Sequence, residues 1–142
     1  GGSTALLDAI GRTIHKIGNA QKNTADDYRA EKVMFVIITD GEENASREYS
    51  SDKIKAQIER QKAKYGWEFI FLGANIDAVQ TAGRYGIAPD RAVDYLADSA
   101  GTELNFKVMS AAVSTFREKG TVDEACFEEI RKDVRRRGKR KK

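Results

Sequence analysis

VMFVIITDG, residues 33–41, is an unbroken apolar run that closes on Thr-Asp-Gly. Five of its first seven residues (Val33, Val36, Ile37, Ile38 and Thr39) are β-branched, and Lys32 and Asp40 bound it with charge. A run without apolar-polar alternation fits a parallel strand covered on both faces better than a half-solvated one. Val33 to Thr39 is therefore expected to be a strand, and Asp40-Gly41 the turn that leaves it.

Working outward, the chain alternates between helical and extended periods. Upstream, Leu6, Ala9, Ile10, Ile14 and Ile17 recur at helical spacing, which predicts an amphipathic helix from Ala5 to Ile17 that loosens at Gly18 and Asn19. NTADDYRAEK, residues 23–32, reads as a polar connection with some helical character. Downstream, Ile54 and Ile58 predict a helix from Asp52 to Lys64, with Ser50 or Ser51 as N-cap and Gly66 as its stop. Trp67 to Leu72 (WEFIFL) is a second strand, and Asp77 to Arg84 a short helix with Asp77 and Gln80 spaced as a capping box. A weaker third strand is expected at Ala92 to Tyr95. A long helix from Thr102 to Glu118 follows, with Met109, Ala112, Val113 and Phe116 on one face. Thr121 and Glu124 repeat the capping-box spacing and open a last helix whose stripe is Cys126, Ile130 and Val134.

Helices alternating with strands predict an α/β fold: a three-layer, mostly parallel sheet with flanking helices and right-handed crossovers. Loops after the carboxyl ends of such strands gather at one edge, where ligands bind. Asp40, Asn75 and Asp77 all fall on such loops.

Composition bounds the function. The 142 residues fit one core, and no apolar run approaches the ~20 residues of a membrane span. No membrane partner and no signal-like start are read. The lone Cys126 gives neither a disulfide nor metal-ligand spacing, and it favours a reducing, cytoplasmic compartment. The net charge of +3 conceals a division: residues 131–142 hold nine Lys or Arg against one Asp, a local +8, so the body is net −5. Two units are read: residues 1–120 as the domain, residues 121–142 as a C-terminal helix and basic tail.

Two motifs carry a resemblance. GGSTALLDAI, residues 1–10, resembles the second metal-site loop of von Willebrand factor type A domains, where a Gly-rich turn presents a Thr hydroxyl ahead of a helix. VIITDGEEN, residues 36–44, resembles their third loop. The resemblance covers residues 1–75, and WEFIFLGANIDAVQTAGRYGI, residues 67–87, is similar to bacterial and phage members at the level of fold alone. It implies a partial Rossmann-like domain that binds proteins without catalysing, with Thr4 and Asp40 as ligands of Mg²⁺. An acidic side chain from a partner would fill an open coordination position. Taken singly, Thr4 reads as an N-cap and Asp40-Gly41 as a turn; their order and spacing carry the metal reading. The family's Asp-x-Ser-x-Ser loop is missing, since no Asp is followed two residues later by Ser. The site is expected to be incomplete and Mg²⁺ weakly held or absent, in a chain that starts after the strand bearing that loop and the next two strands.

Two other readings stay open. Asp40, Glu42 and Glu43 could form a Mg²⁺-dependent phosphoryl-transfer cluster, although no phosphate-binding Gly-rich loop and no nucleophile beside a base accompany them. RKDVRRRGKRKK, residues 131–142, could neutralise nucleic-acid phosphates, but no aromatic interleaves it for stacking. His15 reads as a surface or packing residue and Cys126 as a packing residue. Without its usual neighbour, the strand from Val33 to Thr39 would present an apolar edge, and a homo-oligomer through that edge is expected.

Overall fold

The computed structural model describes residues 5–22, 32–41 and 46–138. Helix α1 (Leu6–Lys22) precedes strand β1 (Met34–Asp40); then come α2 (Ser51–Tyr65), β2 (Glu68–Ala74), α3 (Ala78–Arg84), β3 (Ala92–Asp94), α4 (Ser99–Lys119) and α5 (Glu128–Gly138). Short 3-10 turns at Pro89–Arg91 and Glu124–Phe127 lead into β3 and α5. The strands form one parallel sheet in the order β1-β2-β3, with helices against it, a mixed α/β architecture.

Alternation along each strand divides the core. Phe69 and Phe71 of β2 join Ile37, Ala92, Leu7, Ile10, Ile14, Ile54 and Ile58 in one cluster, which α1, α2 and α3 supply. Ile70, Leu72 and Ala74 join Val93, Val108, Ala112, Phe116, Phe127 and Ile130 in the other, which α4 and α5 supply. β2 is buried along nearly its whole length, as the central strand of a parallel sheet must be.

Local chemistry sets the ends. Ser50 caps α2 by accepting from the Lys53 amide at 3.2 Å, and Gly66 ends it at φ 67°, a left-handed conformation that suits Gly. Asp77 caps α3 through the Gln80 amide at 3.0 Å.

Several expectations need correction. α1 runs through Gly18 and Asn19 to Lys22, and Asn19 Nδ2 lies 3.1 Å from His15 Nε2 one turn back. α4 starts three residues earlier than its periodicity suggests, because the Asp98 carboxylate caps the Gly101 amide at 2.8 Å. Its buried stripe is Gly101, Asn105, Val108, Ala112 and Phe116, so Met109 and Val113 flank the face rather than centre it. The spacing at Thr121 and Glu124 forms no cap: Thr121 Oγ1 donates to Glu68 Oε2 at 3.4 Å, and a 3-10 turn intervenes before α5. That turn rotates Phe127 into the core and leaves Cys126 half-buried.

Candidate functional site

Asp40 ends β1 at the carboxyl edge of the sheet, with its side chain exposed. The register brings it level with Ala74, and the Gly41 amide donates to the Ala74 carbonyl at 2.9 Å. This continuation places Asn75 beside Asp40, and Asn75 Nδ2 donates to Asp40 Oδ1 at 2.5 Å. Asn75 holds φ 58°, a conformation in which Asn is enriched among non-Gly residues. Two more acids complete the edge in structural roles. Asp77 caps α3, and Asp94 Oδ1 accepts from the Ala78 amide at 3.0 Å. Tyr95 follows β3; burial pushes its hydroxyl pKa up, and the charge of Asp40 adds to the shift.

The segment returning from this edge is held by Asp8, a residue that sequence periodicity passed over. Asp8 is 5 % exposed. Its carboxylate accepts from the amides of Arg47 (3.0 Å), Glu48 (3.0 Å) and Tyr49 (2.9 Å), and its own amide donates to Ser46 Oγ at 3.0 Å. Amide donors favour the ionised carboxylate. The Arg47 amide is the main cause of a lowered pKa; burial opposes it, and the Tyr49 and Glu48 amides and the Arg12 charge reinforce it. Arg12 in turn pairs with Glu48. Gly11 completes the contact, since a Cβ there would come within 2.6 Å of three carbons of the Tyr49 ring. The available signal was a carboxylate lying between Leu7 and Ile10 on the apolar stripe.

Of the residues that the sequence singled out, the structure brings Asp40, Asn75 and Asp77 to one edge. Thr4, Glu42 and Glu43 lie outside the described residues. His15 is exposed on α1. A Mg²⁺ ion takes hard oxygen ligands near octahedral geometry. The described residues offer it the Asp40 carboxylate, one oxygen of which Asn75 already engages, and among them no group of three or more His, Cys, Asp or Glu could hold a metal ion. Among the described residues no helix is long and apolar enough to cross a membrane. Comparison with protein families, with curated proteins and with solved structures gave no match.

Proposed function

We propose that this chain is a non-enzymatic protein-binding module of the von Willebrand factor type A kind, a partial three-layer Rossmann-like domain with an incomplete metal ion-dependent adhesion site. The observation that supports it is the placing of Asp40: an exposed carboxylate on the last residue of β1, at the carboxyl edge of a parallel sheet, hydrogen-bonded by Asn75. Thr4 and Asp40 are the residues that would hold Mg²⁺, and a bound cation would present a coordination position to an acidic side chain of a partner protein. With two family-matched ligands, affinity for the ion alone is low. The half-buried Cys126 suits a cytoplasmic setting.

The nucleic-acid reading is weaker because α5 spends much of its positive charge internally. Arg131 pairs with Glu124, Arg135 with Glu128, and Arg137 with both Asp98 and Asp133. Calorimetric titration with Mg²⁺ or Mn²⁺ tests the proposal. Weak, non-saturating heats are expected, and tight saturable binding that Asp40→Ala abolishes would overturn the view that the site is incomplete.

A further inference from the structure

Among the described residues β1 pairs with β2 alone. The Glu68 amide donates to the Val33 carbonyl at 2.9 Å, and the Gly41 amide donates to the Ala74 carbonyl. In a parallel ladder alternate residues direct both backbone groups to the same side. The odd-numbered residues of β1 therefore face β2, while Met34, Val36, Ile38 and Asp40 aim their amides and carbonyls at the outer edge. Among the described residues no strand pairs with that edge. The side chains of this even-numbered set share one face of the sheet. Met34 and Val36 pack against the cluster under α4 and α5, Ile38 is 50 % exposed, and Lys32 Nζ reaches the Gly120 carbonyl at the end of α4.

We propose that this edge pairs with the same edge of a second copy of the chain, antiparallel about a two-fold axis, with Val36 opposite Val36 of the second copy. An isologous strand pair has a single free choice, its register. Hydrogen bonding requires outward-facing residues opposite outward-facing ones, so the sum of paired residue numbers must be even. Centring on Ile37 sets the Asp40 carboxylate against Met34, and centring on Ile38 sets it against Val36. Centring on Val36 instead sets Lys32 opposite Asp40 at both ends, Met34 opposite Ile38 between them, and Val36 on the axis. Opposite charges directly across a strand pair are favourable, as are apolar pairs, and this register alone gives both. The half-exposed Ile38 gains an apolar neighbour, and the described strands of the two copies join in one continuous sheet. The dimer shares Asp40 with the metal reading, so its test is run in chelator and the two are judged separately.

The full-length chain is followed by sedimentation over a dilution series. Wild type dimerises; Lys32→Asp and Asp40→Lys each create two like-charge pairs and weaken the dimer roughly tenfold or more; the double variant restores it. Both positions are exposed, so the fold tolerates the changes, and circular dichroism checks this. Hydrogen exchange gives a second readout: the amides of Met34, Val36 and Ile38 lose protection on dilution, while those of Phe35 and Ile37 keep theirs. A monomer at every concentration would overturn the proposal, whether another segment of the chain covers the edge or nothing does. A dimer indifferent to the charge reversals would overturn the register and the surface with it.

Discussion

Asp8 and Asp40 lie on neighbouring segments and do opposite work. Asp40 is exposed and lightly held, whereas Asp8 is buried and spends its oxygens on three backbone amides. The sign of the pH dependence follows from the lowered pKa of Asp8. An unfolded aspartate titrates at about 3.9; since the folded value is lower, the stabilisation is fully present above that point and is lost as pH falls through the folded value. Asp8→Asn should lower the urea midpoint at pH 7, and the gap to wild type should narrow as pH falls below about 4. An unchanged gap across that range would show that the charge of Asp8 is not what holds the segment. Asp40 was legible in the sequence because its signal is local, a turn dipeptide after a β-branched run. Asp8 was not, because the amides it serves lie 39 to 41 residues away and backbone amides leave no trace in side-chain composition.

The elements themselves were read well wherever apolar spacing and a cap agreed. α2 is the clearest case, with Ser50 and Gly66 marking its ends and Ile54 and Ile58 its buried face. Its two kinds of determinant can be separated by size. Ser50→Ala removes one capping bond and should cost about 0.5–2 kcal/mol. Ile58→Ala opens a cavity in the cluster that also holds Trp67 and Phe69, and should cost about 2–5 kcal/mol. Chemical denaturation of both variants checks the order, and equal losses would mean that the cluster relaxes around the smaller side chain. Reading failed where a cap outran the periodicity. Asp98 starts α4 before its apolar face begins, and the 3-10 turn at Glu124–Phe127 shifts the buried position from Cys126 to Phe127.

At the scale of the molecule, the alternation of helix and strand was enough to forecast a parallel sheet, because each crossover must place its helix on a sheet face. The depth to which the C-terminal segment enters the core was harder to read. Its composition is dominated by charge, yet Val122, Phe127 and Ile130 are fully buried beside Ile70 and Leu72 of β2. Phe127→Ala should therefore cost about 3–5 kcal/mol and lower the midpoint of one cooperative transition. Separate melting of the C-terminal segment, with the sheet left intact, would contradict it. The grip of Asp8 has one more consequence. The chain is pinned at Gly41 by the Ala74 carbonyl and again at Ser46 by the Asp8 amide. Lengthening a loop whose ends are already fixed costs little, about 0.6 kcal/mol for each doubling. A foreign peptide inserted between Gly41 and Ser46 should therefore leave both anchorages intact.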